Sequence, residues 1–133
     1  MVKIMGITLI SREEMKGLPT VAVDVDTDWW LRSPGLDRSY AMFARGRKDG
    51  DTFVDEELGI RPALQYQTSD HLQIGDKVDV FGYGWTVISD NLMLCDEVIG
   101  KMVFREDWEA DNANSYESSD IKKWLESWYL EHS

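Results

Sequence analysis

The residues able to do chemistry are numerous in this 133-residue chain, yet they do not assemble into a catalytic set. A nucleophile, base and orienting acid must be placed together. The two histidines, His71 and His132, stand in a connector and beside the end of the chain, and each reads as a surface histidine. The single cysteine, Cys95, closes the apolar run Leu92-Met93-Leu94-Cys95 and reads as a small buried hydrophobe. One cysteine and two scattered histidines make no zinc pattern. Gly82-Tyr83-Gly84 is too short for a phosphate-binding loop. Asp24, Asp26 and Asp28 alternate as calcium ligands can, but Trp29 and Trp30 follow where a calcium loop needs glycine, so the three read as a solvated strand face. Acidic pairs carry little information in a chain with 25 Asp and Glu. The expectation is a protein that is not an enzyme and holds no metal or cofactor.

Charge says more. The net charge is -11 and the pI about 4.5. Such a surface repels nucleic acid and anionic membrane, so no direct nucleic-acid contact and no membrane contact are expected. It would suit a basic protein groove. Arg45, Arg47 and Lys48 form a small basic island in the polar stretch Gly46–Asp51. From Glu106 to Asp120 every charge is negative: Glu106, Asp107, Glu109, Asp111, Glu117 and Asp120. With no disulfide possible, a reducing cytoplasm is the expected home. Met1–Gly6 is too short and too β-like for a signal peptide, and no apolar run reaches the length of a membrane span.

Several elements must position these residues. Ile4–Ile10 reads as a first strand. Ser11-Arg12-Glu13-Glu14 is a capping box for a short helix that stops by Gly17 and Pro19. Val21–Asp26 alternates apolar and polar from Val23 on, which suggests a strand or an extended lead-in. Trp29-Trp30-Leu31-Arg32 reads as a strand ending in the rigid turn Ser33-Pro34-Gly35, and adjacent tryptophans there must face opposite sides. Tyr40–Arg45 is a strand, Gly46–Asp51 a loop, and Thr52-Phe53-Val54 begins a return. Gly59–Gln67 contains a further strand with Pro62 at an edge or bulge. Thr68–Gln73 connects two halves. A hairpin through Gly82-Tyr83-Gly84 and a turn at Ser89-Asp90-Asn91 form a small meander. Asp96–Phe104 is apolar and ambiguous. Ser118 or Ser119 caps a last helix with Ile121, Trp124, Leu125, Trp128 and Tyr129 on its buried face.

Trp29–Gly35 and Ile60-Arg61-Pro62-Ala63-Leu64 resemble the WWLRSPG and GVRPAL blocks of a domain family of unassigned function found in Gram-positive bacteria, gut metagenomes and their phages. Gly82–Ile88, Leu92-Met93-Leu94 and Ser119–Leu125 look like the family's other blocks. In long members those blocks come first; the reversed order here looks like a circular permutation. The first half is also similar to the variable region of C-type-lectin-fold proteins diversified by retroelements. The resemblance implies an α+β, C-type-lectin-like fold over residues 1–133 as a single domain (halves 1–67 and 74–133): a small twisted, mostly antiparallel sheet, a short N-terminal helix and an amphipathic C-terminal helix, with the halves intertwined. It implies a structural framework of Trp29, Trp30, Arg32, Arg61 and Trp85, the arginines pinning loops through carbonyls or stacking on indoles.

The same resemblance implies a display surface over Leu36–Glu56. Arg38, Tyr40, Arg45, Arg47, Lys48, Asp49, Asp51 and Phe53 are its binding residues, with Asp37, Met42 and Asp55 beside them. The segment's high charge favours one fixed partner. The expected function is a non-enzymatic binding module, phage- or prophage-encoded, presenting a loop surface to a protein or small ligand. The alternative is an acidic phage inhibitor of a bacterial defence protein, anti-CRISPR-like, docking Glu106, Asp107, Glu109 and Asp111 into a nucleic-acid-binding groove. A third possibility, an enzyme similar to the sulfatase-activating oxidases, needs a reactive cysteine, and Cys95 does not look like one.

Overall fold

Neighbouring side chains on a strand leave opposite faces, and Trp29 and Trp30 are both shut off from solvent. Their strand must therefore be covered on both sides. The computed structural model, which describes residues 1–133, has ten strands and two helices in the order β1 (Val2–Thr8), α1 (Arg12–Lys16), β2 (Trp29–Pro34), β3 (Tyr40–Arg45), β4 (Lys48–Phe53), β5 (Glu57–Ile60), β6 (Ala63–Thr68), β7 (Lys77–Val80), β8 (Tyr83–Ser89), β9 (Leu92–Cys95), β10 (Gly100–Val103) and α2 (Asp120–His132). They form a small, mostly-sheet α+β fold with two curled five-stranded sheets where one sheet was expected.

The first sheet runs β1-β6-β9-β8-β7 and the second β10-β5-β2-β3-β4. Every pairing is antiparallel except β2 on β5, which meet in parallel at Trp29 and Gly59. Both sheets draw strands from both halves of the chain: β1 and β6 join β7–β9, and β10 joins β5. Trp29 packs with Leu31, Ala44, Met15, Ala63 and Leu94 in the layer between the sheets. Trp30 packs on the other face with Val54, Phe104, Ile121 and Leu125. A third layer, with Leu64, Trp85, Val87 and Met93, lies against Trp128 of α2. Each such large apolar side chain contributes about 1.5–3 kcal/mol on burial. The indole N–H groups of Trp30 and Trp85 donate to the carbonyls of Met102 and Val80, both at 2.9 Å, which removes the cost of burying them.

Local signals set the element ends. Ser11 accepts from the Glu14 amide at 3.1 Å and Glu14 accepts from the Ser11 amide at 2.8 Å, completing the capping box of α1. Ser119 caps α2 by accepting from the Lys122 amide at 3.1 Å. The β7–β8 turn is formed by Phe81 and Gly82, both at positive φ (57° and 82°), as a twisted two-residue hairpin requires. Gly84 lies within β8 instead.

Further expectations are corrected. Ser33 and Pro34 belong to β2, with Pro34 opposite Ala41, and the turn follows at residues 36–39. Gly46–Asp51 is a tight turn at Gly46-Arg47 followed by β4, because Lys48–Phe53 pairs in full register with β3. Val21–Asp26 is not a strand, since its carbonyls at Ala22 and Val23 are taken by arginine side chains. Gly59–Gln67 is two strands in different sheets, split at Arg61-Pro62, where proline cannot continue a ladder. Trp124 is 37% exposed, on the flank of α2, while Ile121, Leu125 and Trp128 face inward. The ambiguous stretch Asp96–Phe104 contains β10, an edge strand on β5. No helix is long and apolar enough to cross a membrane.

Candidate binding surface

The β3–β4 hairpin carries most of the residues expected to bind a partner, and four of these are paired with other parts of the fold. Arg45 bonds Asp28 at 2.7 Å. Arg47 bonds Asp24 at 2.9 Å and the carbonyls of Pro19 and Ala22 at 3.1 and 2.9 Å, holding the 18–24 loop against the hairpin. Two of the three alternating aspartates thus pair with two cations of the basic island, while Asp24 and Asp26 remain solvent-exposed as expected. No group of three acids, histidines or cysteines is placed to hold a metal ion. Asp49 accepts from Arg12 and from Lys16 at 3.2 Å, tying α1 to β4. Its hydrogen bond from Arg12 holds the carboxyl below its ordinary value. Asp51 accepts from the Leu36 amide at 2.9 Å and closes the turn after β2. Arg45, Arg47, Asp49 and Asp51 therefore hold the hairpin in place; Lys48 stays exposed at its turn.

The other end of the hairpin is different. Tyr40 and Phe53 face each other across β3 and β4, ring centroids 4.5 Å apart. Phe53 is 45% exposed, and beside it Trp108 is 46% exposed; with Asp55 they line a shallow cleft of about 340 Å³. Trp108 arrives there on the acidic loop. That loop is fastened to the exit of β4 by the Phe104 and Arg105 amides, which donate to the Val54 carbonyl at 2.9 and 3.0 Å. Arg38 bonds Asp111 at 3.0 Å, and the Asn114 side chain donates to the Asp37 carbonyl at 3.0 Å. Within the loop, Arg105 donates to Ser118 at 2.8 Å and Asp120 accepts from the Glu106 amide at 2.8 Å. Ala113 is fully buried beneath it.

The display segment and the acidic face, expected as alternatives, are consequently one continuous surface. Glu106, Asp107, Glu109 and Asp111 are all exposed, and of these only Asp111 has an ion-pair partner. Trp108 was the residue sequence reasoning passed over. Its signal was present: a lone tryptophan inside a run of acids and turn residues, where no apolar periodicity can bury it.

Of the residues expected as framework, Trp30 packs beneath this surface with Val54, Phe104 and Ala113, and Trp85 lies in the layer against α2. Arg61 is 2% exposed; it donates to the carbonyls of Cys95 at 2.7 Å and Val23 at 2.6 Å, and its guanidinium lies 5.0 Å from the Trp29 ring centroid. Burial lowers its pKa to about 10, so it remains a cation at neutral pH. Arg32 donates to the Leu9 carbonyl at 2.8 Å and to Glu14 at 2.6 Å. Burial acts to raise the Glu14 carboxyl, but hydrogen bonds from Ser11 and Arg32 outweigh it and hold the group below its ordinary value. Cys95 is fully buried, and that burial pushes its thiol up to about 11, so it is neither exposed nor thiolate at neutral pH.

Larger concavities lie elsewhere. Two adjoining clefts, of about 410 and 530 Å³, share Thr8, Gln65, Tyr116 and Glu117 along the flank of α2 and β1. Their charges are paired with one another: Arg32 with Glu14, and Lys122 with Glu117 at 3.4 Å and Glu126 at 3.1 Å. The Tyr116 hydroxyl is buried there without a well-formed hydrogen bond; neighbouring Thr8 turns its own hydroxyl to the Leu9 carbonyl at 3.0 Å. Size favours this groove, but unpartnered charge and exposed aromatic area favour the Phe53–Trp108 surface, and those properties drive recognition more than volume does. Comparison with protein-family models, with curated proteins and with solved structures finds no match to this chain.

Proposed function

We propose that this protein is a non-enzymatic binding module that recognises another protein through the surface formed by Arg38, Tyr40, Phe53 and Trp108. The observation that carries this reading is the pair of half-exposed rings, Phe53 and Trp108, held side by side on a hydrogen-bonded support. Aromatic side chains on a rigid base bury large area at little entropic cost, which is why they dominate binding energy at interfaces. The resemblance of Trp29–Gly35 and Ile60–Leu64 to the WWLRSPG family supports a C-type-lectin-like display scaffold, with Leu36–Glu56 as the displayed segment and a phage or prophage origin. Action in the host bacterial cytoplasm goes with that origin and with the lone, buried cysteine.

The test is affinity capture from a bacterial lysate, read by native mass spectrometry, with the wild-type chain and a Phe53→Ser/Trp108→Ser variant. Both substituted side chains are exposed, so the variant keeps its fold, checked by its melting temperature. A stoichiometric protein companion on the wild type and none on the variant is the expected result. Equal capture by both overturns the assignment.

A second reading, inhibition of a bacterial defence protein, is favoured by the exposure of Glu106, Asp107 and Glu109 without ion-pair partners. An acidic loop can occupy a groove built for phosphates. Neutralising these three together with Asp111 abolishes inhibition on this reading, and full retained inhibition sinks it.

A further inference from the structure

The position of Trp108 relative to the acids around it selects the chemistry of the partner. Asp55 lines the Phe53–Trp108 cleft and Glu56 follows it in the chain, while Glu106, Asp107, Glu109 and Asp111 flank Trp108 in sequence on the acidic loop; all six are exposed. One cation, Arg38, answers one of them, Asp111; the other five have no ion-pair partner. Arg105, the other nearby cation, is spent on Asn112 and Ser118 inside the loop. The acids do not converge on a point, which argues against a bound metal ion. Both segments that bring an aromatic ring to the cleft carry acids next to it in the chain, which suits an interface with an aromatic anchor and a charged rim.

We infer that this surface docks an arginine-rich protein segment, one guanidinium lying over the Trp108 indole and others reaching the surrounding carboxylates. This rests on the binding-module reading above and adds the partner's chemistry to it. Guanidinium suits both halves of the surface: it stacks on aromatic faces and bonds carboxylates two at a time. Ammonium groups make the same charge contacts but stack less well and cannot fork. An anionic partner meets the field of a chain carrying -11 and is repelled. The surface is also organised before binding. Phe104, Arg105, Asn114 and Asp120 fasten the loop, so little ordering entropy is lost when a partner arrives.

The experiment uses the whole chain with two probes, nona-arginine and nona-glutamate, followed through the side-chain indole N–H signal of Trp108, assigned by its loss in Trp108→Phe. Nona-arginine shifts that signal and nona-glutamate does not. Affinity falls at least tenfold between about 50 mM and about 300 mM salt, as contacts among exposed charges must. Affinities of the variants are read by calorimetric titration, in which Trp108→Ala weakens nona-arginine binding at least tenfold. So does the triple variant Glu106→Gln/Asp107→Asn/Glu109→Gln. A control triple variant, Asp79→Asn/Asp90→Asn/Glu131→Gln, removes the same charge from β7, the β8–β9 turn and α2, and stays within twofold of wild type. Equal weakening by the control triple overturns the inference, because binding would then report only net charge. So does undiminished binding by Trp108→Ala, or an unmoved Trp108 signal. If nona-arginine fails while the lysate companion is still lost by the Phe53→Ser/Trp108→Ser variant, the partner's chemistry is refuted and the binding module stands.

Discussion

The guanidinium of Arg61 lies over the indole of Trp29, 5.0 Å from the ring centroid, buried to 2% exposure and bonded to two carbonyls with no carboxylate. One side chain thus joins the 21–26 segment, the end of β9 and the layer between the sheets. Replacing it by alanine leaves the Cys95 and Val23 carbonyls short of a donor and strips the Trp29 face. Arg61→Ala is expected to cost about 3 kcal/mol. Arg61→Lys keeps the charge but loses the fork and the stacking, and costs about 2 kcal/mol. Urea denaturation midpoints check both; a lysine variant as stable as wild type would sink the stacking account.

Acid should loosen α1 first. Asp49 and Glu14 both have carboxyl pKa values below their unfolded ones, through Arg12 for Asp49 and through Ser11 and Arg32 against the effect of burial for Glu14. A depressed pKa stabilises fully above the unfolded value, about 3.9 for Asp and 4.3 for Glu, and the contribution disappears as pH falls through the folded value. Stability is therefore flat with respect to these groups near neutrality and drops below about pH 4. In Asp49→Asn the neutral-pH stability is lower and part of the acid-limb slope is gone. Urea midpoints from about pH 2 to about pH 7 for both proteins decide it.

Gly59 and Gly46 predict opposite sensitivities. A Cβ on Gly59 would meet the Asp28 carbonyl oxygen and Val98 Cγ1, each at 2.9 Å, at the single parallel contact between β5 and β2. Gly59→Ala is expected to cost about 3 kcal/mol because backbone stands in the way. Gly46, at the β3–β4 turn, has open space around it but a φ of 62°, so Gly46→Ala costs only about 1 kcal/mol of backbone strain. Thermal melts rank the two; the reverse order would contradict the described register.

Cys95 should be silent until the chain opens. It is fully buried and its thiol is pushed up to about 11. Ellman's reagent at neutral pH is expected to label it only as fast as the protein unfolds, and at once in denaturing urea. Rapid labelling of the native chain would revive a reactive-cysteine role.

Some elements announced themselves through local rules. The capping box of α1 needed only Ser11 and Glu14, and α2 needed its apolar spacing and Ser119. The β7–β8–β9 meander followed from Gly82 and from Ser89-Asp90-Asn91, although its first turn is Phe81-Gly82 and not Gly82-Tyr83-Gly84. What escaped depended on distant partners. Lys48–Phe53 is rich in charge and glycine, yet it forms β4 because Asp49 and Asp51 find partners on α1 and at Leu36. Gly50 admits the Phe43 ring, 3.2 Å from where its Cβ would sit. Val21–Asp26 has a strand-like pattern, but Arg47 and Arg61 claim its carbonyls from elsewhere in the chain. The second sheet was illegible for a similar reason, since nothing near Trp29 reveals that Gly59 will lie beside it. The Phe53–Trp108 surface joins residues far apart in sequence, and only the loop's fastening at Val54 brings them together.

The crossing at Arg61-Pro62 has a consequence for how the chain acquires its shape. It sends β5 and β6, neighbours in sequence, into different sheets, and β6 must then lie between β1 and β9. As the chain is synthesised, β1 waits for a partner until Ala63–Thr68 has been made, and β6 keeps one bare edge until Leu92–Cys95 follows. Folding led by such non-local pairings is slow. Until Thr68 has been made, Val2–Thr8 is an unpaired strand, and an unpaired strand invites association with other chains. Slowing translation between Thr8 and Thr68 should lengthen that interval and raise the fraction of nascent chains that need a chaperone.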